Sequence, residues 1–276
     1  MAIKAMESIV DSINNNEHND VIIKLDDGDI YASKLILSTR SEYFRAMFSK
    51  QNQCKETINN LVKFDTKKLI MKPIIQYIYS GILDIEHLKL SEGIELLKNL
   101  RLFLIIDGVN ETEELIKYKL QKRIFSIKEC FQTIEVVNEL KFEKTKLHIL
   151  SNFATSLDLL LDNHKKYVKN MSLKIIEDLL THIQSIETKN ILPFSPNFQI
   201  KKFKLCLIWI EKNNNSITKE NKRNILNHIV LEKFTIKQLF GIIKESNLFD
   251  IEEIIKAAQR NVILYTIIRY DENITK

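Results

Sequence analysis

Five glycines and three prolines in 276 residues leave little material for the tight turns of an all-β sandwich or barrel, so helix is predicted to dominate. Cysteine is equally scarce. Cys54, Cys130 and Cys206 stand far apart in apolar or helical patterns, which matches neither a disulfide framework nor a zinc site and points to a reducing compartment. No run approaches the roughly 18 to 20 apolar residues that span a bilayer. The N-terminal stretch is broken by Lys4, Glu7 and Asp11, where a secretory signal needs a continuous apolar core. A cytoplasmic chain with no membrane partner is expected. Strong charge of one sign is also missing. The net +5 is scattered in short pairs such as Lys67-Lys68, Lys165-Lys166 and Lys201-Lys202, a weak field for steering toward nucleic acid, and no nucleic-acid partner is expected.

The constellations of catalysis are absent as well. Gly28, Gly81, Gly93, Gly108 and Gly241 each stand alone, so no loop lets backbone approach a phosphate closely. No Gly-x-Ser-x-Gly elbow occurs. His18, His87, His148, His164, His182 and His228 do not pair with each other or with cysteine at the short spacings that place two ligands on one metal, and are assigned to surface or packing roles. Glu113-Glu114 and Glu252-Glu253 fall on patterns of solvated helix faces. No catalytic residue, cofactor or metal site is assigned, and the chain is expected not to be an enzyme.

What is present is a globular balance, 45% apolar and 28% charged, over a length that suits two domains. Met6, Ile9, Val10 and Ile13 fall at i, i+3, i+4 and i+7 and share one face of a short helix, which packs either on its own domain or across a dimer axis. Val21 to Leu25 and Ile30 to Ala32 flank an Asp-Gly turn signal and predict a β-hairpin. Two short helices follow, Lys34 to Leu37 and Glu42 to Phe48, the second capped by Ser41. Thr57 to Phe64 is a strand candidate. A helix capped by Asp65 or Thr66 should reach Tyr79 and end at Gly81, with a kink or late start at Pro73. Ile82 to Ile85 could form one more strand, before a helix from about Ser91 to Leu104. Beyond Glu111 the periodicity predicts helices over about 111–122, 127–139, 143–150, 153–161, 172–184, 200–212, 219–229, 235–245 and 250–266. Pro193 and Pro196 make Glu187 to Gln199 a long loop.

Five blocks in order carry a resemblance: Asn19-Asp20-Val21, the hairpin, Ala32-Ser33-Lys34-Leu35-Ile36-Leu37, Ser41-Glu42-Tyr43-Phe44-Arg45-Ala46-Met47-Phe48, and Tyr77-Ile78-Tyr79-Ser80-Gly81. Together they resemble the BTB (POZ) domain family. Ser33 stands where many members carry His, and Pro73 departs from the usual helix. Lys128-Glu129-Cys130-Phe131, Leu205 to Ile210 with Trp209, and Ile225 to Val230 are similar to the BACK domain. Trp209 is assigned to the scaffold, as a large core residue whose indole finds a hydrogen-bond partner.

The resemblance implies a mainly α (α+β) fold. A BTB domain with a small sheet and surrounding helices spans 1–122, an all-α BACK domain of stacked helix pairs spans 123–266, and a tail covers 267–276. It further implies a homodimer interface at Met6, Ile9, Val10 and Ile13. A contact to a cullin-3 type ubiquitin-ligase scaffold is implied at Cys54 and Glu56. Cys54 buries less apolar area than the usual Met, Leu or Phe, a loss of about 1 kcal/mol at ~25 cal/mol per Å². The chain leaves no room for the Kelch propeller of three-part members. The unknown target is therefore expected on the BACK face, on the Glu187–Gln199 loop, or on the other subunit of a heterodimer. The alternative implied is a cullin-independent module, or a truncated competitor that dimerises with full-length relatives.

Overall fold

The computed structural model describes residues 19–49, 60–189 and 196–274, and the side chains of all of these except 196, 197 and 263–274. Strand β1 (Val21–Leu25) turns through Asp26 and Asp27 into β2 (Gly28–Ala32), the antiparallel register running from Leu25 opposite Gly28 to Val21 opposite Ala32. Gly28 takes φ +126°, a conformation that L side chains rarely adopt, which is why the turn signal needs glycine there. The third strand, β3 (Leu61–Lys63), pairs parallel to β1 with Ile23 opposite Val62, giving the order β2-β1-β3. Val21, Ile23, Leu25, Ala32 and Val62 are all buried. Alternate positions along β1 thus line the core, as the two-residue period requires.

Helices α1 (Lys34–Arg40) and α2 (Glu42–Met47) follow the hairpin, and Ser41 caps α2 by accepting from the Phe44 N–H at 3.2 Å, as expected. Helix α3 (Lys68–Ser80) corrects two expectations. Its N-cap is Lys67, which makes no side-chain cap, while Thr66 turns away and donates to Glu95. The first free N–H, that of Lys68, is instead taken by Asp27 Oδ1 of the hairpin turn at 2.7 Å. The helix also runs unbroken through Pro73. Its C-terminus is the expected Gly81, in the left-handed region at φ 74°.

Ile82 to Ile85 form no strand. Leu83 and Ile85 are buried without a ladder, and the Ile85 carbonyl accepts from the buried Lys119 ammonium at 3.0 Å. Helices α4 (Leu90–Leu102), α5 (Ile106–Gln121) and α6 (Ile127–Glu139) come next, α5 starting five residues earlier than its periodicity suggested. Then follow α7 (Glu143–Thr155), α8 (Leu157–Asn163), α9 (Lys165–Lys169), α10 (Leu173–Thr188) and α11 (Pro196–Asn213). After α12 (Lys219–Leu226), a 3-10 turn at Leu231–Lys233 leads to α13 (Ile236–Gln238), which passes into a π-helical turn at Leu239–Ile243. The last helix, α14 (Ile251–Ile274), runs eight residues beyond its expected end.

Only the two ends of the expected loop Glu187–Gln199 depart from expectation: α10 carries on to Thr188 and α11 begins at Pro196, where proline suits a first helical turn, while 190–195 lie outside the described residues. By backbone contacts the chain divides into two compact units between His148 and Ile149. The first contains the sheet and α1 to α6. Its core includes a ring cluster in which Phe103 lies 5.0 Å from Phe44, 5.1 Å from Phe64 and 5.3 Å from Tyr43. The second is built from helices, with no strand among its described residues and with apolar residues of α10 and α11 in its core.

Candidate functional site

The residues shared with the BTB pattern meet in space and do structural work. Asp20 Oδ1 accepts the Lys34 N–H at 2.7 Å, which caps the start of α1. The phenol of Tyr79 accepts the Ser33 N–H at 2.7 Å, and burial pushes that phenol's pKa up, keeping it neutral. Ser41 donates to the Phe103 carbonyl at 2.7 Å while capping α2. Arg40 lies against Gly81, where an added Cβ would come within 2.6 Å of its guanidinium. The end of the hairpin is therefore joined to the Tyr77–Gly81 helix end by the buried Ser33–Tyr79 bond, and the start of α2 to Phe103 by the buried Ser41 bond. Such bonds hold register in a small sheet of limited core.

The expected dimer residues Met6, Ile9, Val10 and Ile13 lie outside the described residues, as do the expected cullin contacts Cys54 and Glu56. The described surface of the first unit exposes other apolar side chains. Leu102, Leu104 and Ile106 are each half exposed or more around the turn between α4 and α5, where Leu104 itself takes φ 56°. Leu35 on α1 is 76% exposed.

In the second unit Trp209 is buried and its indole donates to the Met171 carbonyl at 2.9 Å, the scaffold role expected of it. Two features were not expected. The Lys202 ammonium is fully buried, 2.8 Å from Glu187, whose other oxygen accepts from Gln199. Sequence reasoning had placed Lys201-Lys202 among scattered charges. Lys201 is the outward member, reaching Asp158 at 2.7 Å. A pattern signal did exist, since Lys202 sits beside Phe203 and one turn before Cys206 on the apolar face of α11.

The other is a Ser151–His182 contact, Oγ to Nε2 at 2.8 Å, between α7 and α10. Burial lowers the His182 pKa, so its imidazole is neutral at pH 7. The acid one turn earlier on α10, Asp178, is held by Lys174 at 3.0 Å. A packed serine–histidine hydrogen bond accounts for this geometry. Glu113 also departs from its expected place, being buried, with Thr145 donating to it at 3.4 Å and the Lys144 ammonium paired with it at 3.7 Å. Among the described residues no group of three or more His, Cys, Asp or Glu side chains is placed to hold a metal ion. No described helix is long and apolar enough to cross a membrane.

Comparison with known proteins bears on the same region. The BTB/POZ domain family profile matches residues 10–120. Kelch repeat and BTB domain-containing protein 2 of Horsepox virus is 28% identical over 239 residues, covering 76% of this chain and 41% of that protein. Its namesake in Ectromelia virus (strain Moscow) is 32% identical over 117 residues, covering 41% and 20%. Trishanku of Dictyostelium discoideum is 38% identical over 80 residues, covering 28% and 11%. The chain thus spans less than half the length of these curated relatives. Among solved structures, the BTB domain of zebrafish PATZ1 aligns with 42% of this chain and 90% of its own at 18% identity and a TM-score of 0.35. Residues 10–120 of this protein are a BTB/POZ domain.

Proposed function

We propose that this protein is a non-catalytic protein–protein interaction adaptor, a cytoplasmic BTB–BACK homodimer that joins a cullin-3 type scaffold to a target. The BTB/POZ domain at residues 10–120 carries this reading. The reading assigns residues 1–122 to BTB, 123–266 to BACK and 267–276 to a tail. Dimerisation uses the apolar ridge of Met6, Ile9, Val10 and Ile13, because a face of that composition gains most by leaving water. The cullin contact uses Cys54 and Glu56. The mechanism is proximity: two copies of each binding site on one dimer raise effective concentration without a new contact.

Light scattering of the purified chain should give twice the chain mass, and Ile9→Asp with Ile13→Asp should halve it. A monomeric wild-type chain at high concentration sinks the proposal. Cullin-3 pull-down should weaken on Cys54→Asp with Glu56→Ala, and capture indifferent to both changes would remove the cullin contact. The weak apolar anchor at Cys54 favours a second reading, a cullin-independent module that forms mixed dimers with longer relatives. In that case mixed dimers form and the target is not ubiquitinated.

A further inference from the structure

The second unit contains an open groove of about 630 Å³ between the C-terminal half of α11 and the segment leaving the π-helical turn. One wall is Leu207 and Ile210 of α11, and the other is Ile242 and Leu248. Glu211 and Glu245 stand at its mouth, both exposed and without an ion pair to any described residue, with Lys222 of α12 as the one cation in the lining. The excess charge is negative, although the chain as a whole is positive. A mixed lining, with four aliphatic side chains beside two carboxylates and the polar Asn214, Ser246 and Asn247, suits a segment with aliphatic side chains and one basic group beside them, since each part then meets its complement.

The second wall of the groove starts in the π-helical turn and continues past it. The π turn carries Gly241, at which an added Cβ would meet nothing within 4 Å, and π turns recur at functional sites. Past it, the backbone turns back at Asn247, which takes φ 53°. The preceding carbonyl of Ile243 is closed by the Ser246 hydroxyl, whose oxygen also accepts the Leu248 N–H at 3.3 Å. The backbone of Leu248, which lines the groove, is thereby tied to Ser246.

We infer that this groove is the target-docking site of the second unit, and that it takes a peptide segment of a partner protein bearing aliphatic side chains and a Lys or Arg that sits between Glu211 and Glu245. This deepens the adaptor reading and rests on it only for the name of target.

The test is display selection of random 12-residue peptides against the full chain, followed by fluorescence polarisation with the peptides recovered. Selected peptides should carry aliphatic residues around a Lys or Arg. The double variant Glu211→Lys, Glu245→Lys should weaken them at least tenfold, and Lys→Glu forms of the same peptides should regain affinity for that variant. Ile242→Asp, at an exposed position, should weaken both sets. Circular dichroism checks that the variants keep their helix content. Overturning results are selection that returns no binder, binders that ignore all three changes, and binders whose basic group is dispensable. If the groove fails while the chain still dimerises and captures cullin-3, only this inference falls. If peptides bind and the chain is a lone monomer, the groove stands and the adaptor reading falls.

Discussion

Cys130 and Cys206 report how dry the two helical cores are. Burial pushes both thiols up to about 12, so neither presents a thiolate at neutral pH. Alkylation at pH 8 should therefore leave both unmodified in the native chain and modify both in urea, as mass spectrometry of peptides would show. Rapid native labelling of either would mean that its helix opens. The Lys202–Glu187 pair makes a sharper demand. With one partner removed, a buried charge is left uncompensated, and Lys202→Met should cost ~3–5 kcal/mol in urea unfolding. Adding Glu187→Met should recover most of that loss, because the pair exchanged for apolar volume is often neutral. Sequence alone hid this pair. A lysine beside another lysine resembles solvated charge until Glu187 of α10, itself held by Gln199, meets it.

At the scale of elements, local chemistry made much of the first unit legible. The Asp27-Gly28 turn, the Ser41 cap and the Gly81 stop are each set by one residue whose backbone or side chain has few alternatives. What stayed hidden depends on partners distant in sequence. Asp65 and Thr66 have the right chemistry for a cap, yet the Lys68 N–H is served by Asp27, 41 residues away. Replacing Asp27 with Ala should cost about 1 kcal/mol, as losing a cap usually does. Chemical denaturation would detect it, and an unchanged midpoint would show that water replaces the carboxylate. Ile82 to Ile85 reads as a strand by its apolar residues, whereas Leu83 and Ile85 are buried without a ladder and the carbonyls of Ile85 and the following Glu86 accept from Lys119. The groove of the second unit left no trace in the pattern, since its walls are some 35 residues apart and neither is unusual alone. The dimer and cullin residues were marked by periodicity and resemblance and lie outside the described residues.

For the whole molecule, stability should fall with acid earlier than carboxylate titration alone would cause. Burial is the largest influence on His148, His182 and His228, and it lowers all three below the ordinary histidine value of about 6.5. The unfolded chain then binds more protons than the folded one just below that value, so these sites stabilise the fold at neutral pH and lose that contribution as the pH drops. Urea midpoints at pH 7.5 and 5.5 should differ in that direction, and His182→Gln should reduce the difference. A flat profile would contradict the burial.

Trp209, the sole tryptophan, is enclosed at 3% exposure and tied to Met171 within the second unit. Its emission is therefore a built-in optical probe of one half of the polypeptide and is blind to the other. Heating while recording that emission together with the far-ultraviolet signal would separate the melting of the helical half from that of the sheet-bearing half. No label or dissection of the chain is needed.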